Sequence, residues 1–177
     1  EEVFLKFKSL KINVSVDGIG DNYEYIRYPG KWNVVDKNLQ LLSKYKNIEF
    51  SLLPTLQFHN LYNLIDIFKY AEKYGYIIHD INFVETPPHY APRNLPIKIK
   101  NRIFHNYRSR ISLELKIPQH KKLLNRIVRT IPKLEVYDKE AMKKFVKYTN
   151  TLDKIRGQSF KESCPQEWNL LKEYFND

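Results

Sequence analysis

Near the amino terminus, three runs rich in apolar and β-branched residues are separated by two amphipathic ones. Residues 10–16 (LKINVSV) form a β-branched run that closes on Asp17-Gly18, a turn signal, and predict a strand. Residues 32–45 place Trp32, Val35, Leu39 and Leu42 at helical spacing, with Pro29-Gly30 as punctuation before them. Residues 47–58 (NIEFSLLPTLQF) predict a second, buried strand, in which Pro54 marks a bulge or the working end. Asn60 is placed to N-cap a helix over 61–74, with Leu64, Ile65, Phe68 and Ala71 on one face and Gly75 as its stop. Residues 76–84 (YIIHDINFV) predict a third strand, followed by a proline-containing loop from Thr86 to Pro96.

Strand, helix, strand, helix, strand with short connections is the pattern of right-handed βαβ units in a parallel sheet. In such sheets the carboxyl ends of the strands carry the chemistry. Here those ends hold Ser15 and Asp17, then Thr55, Gln57 and Asn60, then Asn82, Glu85 and Thr86. From Ile97 the period becomes helical. Ile99, Ile103, Tyr107 and Ile111 step by four along one face, and further helices are predicted over 123–131, 139–152 and 165–174.

The composition, 42% hydrophobic and 14% aromatic over 177 residues, is that of a folded chain able to bury a core. No apolar run reaches the roughly 20 residues of a membrane-spanning helix. One cysteine, Cys164, excludes an internal disulfide and an all-cysteine metal site, and makes a reducing cytoplasm the expected location.

Charge changes the picture of the second half. The chain carries +10, and residues 97–129 hold ten Lys or Arg against one acid, Glu114, a net +9. Such a region attracts polyanions through counterion release, or is a solvated helical face. Phe104, Tyr107 and Tyr137 could stack nucleobases, but they fall in phase with the aliphatic face, which core packing explains more economically.

The candidate motifs are concentrated in residues 12–30 (INVSVDGIGDNYEYIRYPG). A dinucleotide fingerprint fails because Tyr23 stands where its third glycine belongs, and no Lys-Ser/Thr of a phosphate loop follows. Ser15 and Asp17, two apart on a strand, share a face and suit hydrogen bonding to a ribose or an amino-acid ligand. Their plain alternative is a turn. Arg27 can hold a carboxylate with two parallel hydrogen bonds, or pair with Asp21 or Glu24. The histidines at 59, 79, 89, 105 and 120 show no metal-ligand spacing and read as surface or satisfied buried residues. The sequon-like Asn13-Val14-Ser15 lies inside a predicted strand and reads as chance.

These segments resemble radical S-adenosylmethionine enzymes. VSVDGIGDNYEYIRYPGKWNVVDKNLQLL is similar to the fourth strand, loop and helix of that family, SLLPTLQFHNLYNLIDIFKYAEKYGY to the fifth unit, and INFVETPPHYAPRNLP to the sixth strand and its loop. The tail LDKIRGQSFKE resembles the ending of radical S-adenosylmethionine proteins described as twitch-domain-containing, the most specific of these matches.

The resemblance implies an α/β fold: the second half of a (βα) partial TIM barrel, about three strands over residues 1–96, with a basic helical extension over 97–177. It implies that Ser15 and Asp17 face the S-adenosylmethionine ribose or methionine part, that Arg27 holds its carboxylate, and that Thr55 and Asn60 line the fifth-strand edge near adenine or substrate. The family's Cys-x3-Cys-x2-Cys loop, which binds a [4Fe–4S] cluster, is absent, as is the Gly-Gly-Glu that holds the cofactor amine. The expectation is therefore a carboxyl-terminal half, starting at the helix before the fourth strand, which the lack of an initiator Met fits. It is expected to be inert alone, with an unknown substrate and a missing amino-terminal half as partners. Its unpaired sheet edge should leave the isolated chain prone to aggregate. A twitch extension usually binds an auxiliary cluster, which a single cysteine cannot hold unaided. The competing readings are a nucleic-acid-binding module using the basic helices and a cluster-less interaction module.

Overall fold

The computed structural model describes residues 10–45, 48–134 and 137–175. Strand β1 (Lys11–Val14) pairs in parallel with β2 (Glu49–Leu52), in the register Lys11 to Glu49 through Val14 to Leu52. Pro54 has no N–H to give the ladder, and the pairing breaks there. Beyond it β3 (Thr55–Leu56) pairs in parallel with β4 (Asn82–Phe83). An isolated parallel bridge from Ser51 to Ile77 links the same two segments, middle and third, ahead of Pro54. The three predicted strands are thus three parallel segments, each shorter than expected. In the third, the Asp80 carboxylate accepts from the Ile81 N–H at 2.9 Å, a local bond that competes with the ladder. Asn47 and the residues before Leu10, read as a preceding helix, lie outside the described residues.

Helices α1 (Asp21–Ile26), α2 (Trp32–Leu42) and α3 (Leu64–Tyr74) alternate with the strands. The expected N-cap of α3 is corrected: Asn60 serves the strand ends instead. The buried Glu167 carboxylate accepts from the Tyr62 and Asn63 N–H groups at 2.8 and 3.1 Å, so α3 starts at Leu64. Gly75 ends it as expected, in the left-handed region. The second half comprises α4 (Ile97–Glu114), α5 (Pro118–Thr130), α6 (Lys139–Arg156), α7 (Phe160–Ser163) and α8 (Pro165–Leu171). Helix α5 begins earlier than its apolar pattern suggested, because Glu72 accepts from the N–H groups of Lys116 and Ile117 just ahead of Pro118.

One buried cluster holds Val16, just beyond β1, and Leu52 and Leu56 from the strands together with Ile103, Tyr107, Phe145 and Leu171 from the helical half. The segments 1–96 and 97–177 therefore share a core. Helices and apolar side chains cover one face of the sheet. On the other, Lys11, Asn13, Ser15 and Ile77 are exposed. A parallel sheet normally has both faces covered. None of the described helices is long and apolar enough to cross a membrane.

Candidate functional site

Four of the five residues singled out from the sequence meet at the carboxyl ends of the first two strand segments. Asp17 is buried. Its Oδ2 accepts from Arg27 Nε at 2.8 Å and from Nη2 of the same guanidinium, and its Oδ1 accepts from the Thr55 N–H at 2.8 Å. Asn60, fully buried, donates from Nδ2 to the carbonyls of Asp17 at 2.8 Å and Thr55 at 2.9 Å, while its Oδ1 accepts from the Gln57 N–H. Side chains thus take over where the backbone ladder ends. Arg27 pairs with Asp17 rather than with Asp21 or Glu24, since Glu24 accepts from Lys31 and from the Trp32 N–H. The Arg27 side chain stays 41% exposed, and its Nη1 has no partner among the described residues. Ser15 stands apart from this network, exposed on the open sheet face. Asn82, Glu85 and Thr86 are exposed at the third strand end.

The tail folds back onto this loop. Asp153 accepts from the Tyr25 hydroxyl at 2.8 Å through Oδ1 and from the Phe160 N–H at 2.9 Å through Oδ2. Arg156 donates to the Tyr25 carbonyl and lies 5.0 Å over the Tyr28 ring. Gln158 donates to the Glu24 carbonyl, and Ser159 caps α7 through the Glu162 N–H. Phe160 packs against Tyr25, His59 and Phe145 with ring centres 5.6–5.7 Å apart. These partners were not assigned roles from the sequence. The signal lay in the adjacency of Asp153, Arg156, Gly157 and Phe160 within one short motif.

His59 departs from the satisfied-histidine reading. It is buried, its Nδ1 sits 3.4 Å from Gln57 Oε1, and its Nε2 has no partner among the described residues. Burial pulls its pKa down to about 3, so the ring is neutral. Asn22 donates to the His59 carbonyl at 2.6 Å and to Cys164 Sγ at 3.1 Å, and its Oδ1 is likewise unpartnered there. His120 fits the satisfied reading: Nε2 accepts from the Ile78 N–H, which leaves Nδ1–H to face Glu72.

Structure divides the basic segment. Lys100 is buried and donates to the Arg93 carbonyl at 2.7 Å and to that of Leu134, and burial lowers its pKa. Arg110 pairs with Glu114 at 2.6 Å and reaches Asp66. Tyr107 is fully buried in the core, Tyr137 is exposed, and Arg108 lies over the Phe104 ring.

Two groups implied by the resemblance can be tested against these residues. A four-iron cluster does not fit. Cys164 is buried beside Asn22, burial pushes its thiol up, and no group of three His, Cys, Asp or Glu could hold a metal among the described residues. The carboxylate of S-adenosylmethionine meets a suitable donor here, Arg27 Nη1, which has no partner among the described residues, whereas the Ser15 hydroxyl is exposed on the open sheet face apart from that network. In comparisons with known proteins, no family model, no curated protein and no solved structure matches this chain.

Proposed function

We propose that this chain is the carboxyl-terminal portion of a radical S-adenosylmethionine enzyme, acting on a substrate still to be identified. The observation that carries the reading is that its two most telling segments dock on each other: Tyr25, within the YIR stretch, hydrogen-bonds Asp153 of the LDKIRGQSF tail, 128 residues away. Three parallel segments with intervening helices support the second half of a (βα) partial barrel. S-adenosylmethionine supplies the radical chemistry when bound. Arg27 holds its carboxylate through Nη1, and Ser15 hydrogen-bonds its ribose or methionine part. Thr55 lines the adenine or substrate edge. Asp17 and Asn60 act one step back, fixing Arg27 and the Thr55 backbone. The cluster ligands lie outside this chain, which is therefore inert alone.

The test is the reading frame upstream, together with its whole product reconstituted anaerobically with iron and sulfide. The expected result is a Cys-x3-Cys-x2-Cys loop within about 150 residues, one domain length, and 5′-deoxyadenosine formed from S-adenosylmethionine. A frame without that loop overturns the proposal. An upstream loop whose reconstituted product makes no 5′-deoxyadenosine also overturns it.

A further inference from the structure

A groove of about 950 Å³ lies between residues 75–79, at the edge of the third strand segment, and helix α5. Its floor is aliphatic, formed by Ile77, Ile78, Ile117 and Leu123. Ile77 is 43% exposed, a large apolar side chain left open to water on a strand edge. The wall is cationic. Lys122, Arg126, Arg129 and Lys133 line it, and no carboxylate does among the described residues. Arg126 reaches Asp80 at 3.6 Å, where both side chains are largely exposed, whereas Lys122, Arg129 and Lys133 have no acidic partner among the described residues. The interior fold does not use these cations, unlike Lys100 and Arg110.

We propose that this groove docks an acidic, amphipathic segment of a partner protein, its aliphatic side chains on the floor and its carboxylates on the α5 cations. Charge complementarity sets the sign of the occupant, and the floor sets its class. A single-stranded nucleic acid held by stacking would need exposed aromatic faces for its bases. Among the described lining residues the one Phe, Tyr or Trp is Tyr76, which is buried with its hydroxyl committed to the Leu39 carbonyl at 2.6 Å. Aliphatic side chains at helical spacing fill such a floor, as in other helix-in-groove recognition. The inference is independent of the radical S-adenosylmethionine reading.

The experiment uses the full chain and a fluorescein-labelled peptide of about 18 residues, with Leu at positions i, i+3, i+4 and i+7 and Glu elsewhere. Fluorescence anisotropy compares it with polyglutamate of the same length and with a single-stranded oligonucleotide of equal charge. The peptide is expected to bind more tightly than either comparator. Lys122→Glu/Arg129→Glu should weaken it about tenfold or more, and Ile77→Ser by a similar factor. All three positions are exposed, so the fold should survive both changes. Binding that ignores Ile77→Ser is charge attraction alone and overturns the proposal. Tighter binding of the oligonucleotide, or no binding of the peptide, also overturns it.

Discussion

Asp17 is the residue on which the strand ends turn. Replacing it with Asn removes the charge opposite Arg27 and should cost about 1–3 kcal/mol, read as a lower denaturation midpoint. Two other buried groups give stability opposite dependences on pH. Burial raises Glu167 to about 7, above its unfolded value, so the fold holds that proton and loses stability as pH rises from about 4.5 through 7. His59, lowered to about 3, is neutral in the fold, and its contribution is lost as pH falls below the unfolded value near 6.5. Thermal unfolding from pH 4 to 8 should therefore show Glu167→Gln flattening the loss on the neutral side and His59→Gln flattening the loss on the acid side. A Glu167→Gln curve parallel to the parent's would contradict the burial of that carboxyl. Sequence alone could not reveal either group, because Glu167 in PQEWNLL and His59 in LQFHN carry no pattern distinct from surface residues.

At the level of elements, long periodic segments were legible and their joints were not. Helix α4 buries Ile99, Ile103, Tyr107 and Ile111 as their spacing required. Asn60 looked like a helix cap because nothing local shows that a carboxylate 104 residues away from Asn63 takes that role. The short α1 escaped notice because Gly18, Gly20 and the tyrosines read as loop. Gly18 is there for close approach: a Cβ would lie 2.2 Å from Asn22 Oδ1 and 2.8 Å from the Tyr23 nitrogen. Gly157 is there for conformation, at φ 61°. Gly157→Ala should cost about 1 kcal/mol, the penalty of a Cβ in the left-handed region. Gly18→Ala must push α1 off the strand end and should cost more, about 1–3 kcal/mol. Equal midpoints for the two variants in urea would count against that distinction.

Across the whole molecule, the tail ties the two halves together. Phe160 is 1% exposed and sits among Tyr25, His59, Phe145, Trp168 and Phe175. Phe160→Ala should cost about 3–5 kcal/mol, and a single unfolding transition should persist because residues 1–96 and 97–177 share one core. Two separate transitions would instead restore the two-part division expected from the sequence. The parallel order was legible from the alternation of strand and helix. The strand-end network was legible only as residue types, since the bonds of Asp17 and Asn60 join positions about 40 apart in sequence.

The bond from the Thr55 N–H to the Asp17 carboxylate makes that amide a built-in reporter. A proton donated to a charged carboxylate resonates downfield and exchanges slowly. Any ligand whose own carboxylate draws Arg27 away changes the charge that Thr55 senses. Titration followed by amide spectroscopy thus reads occupancy at the strand ends from one peak, with no turnover needed.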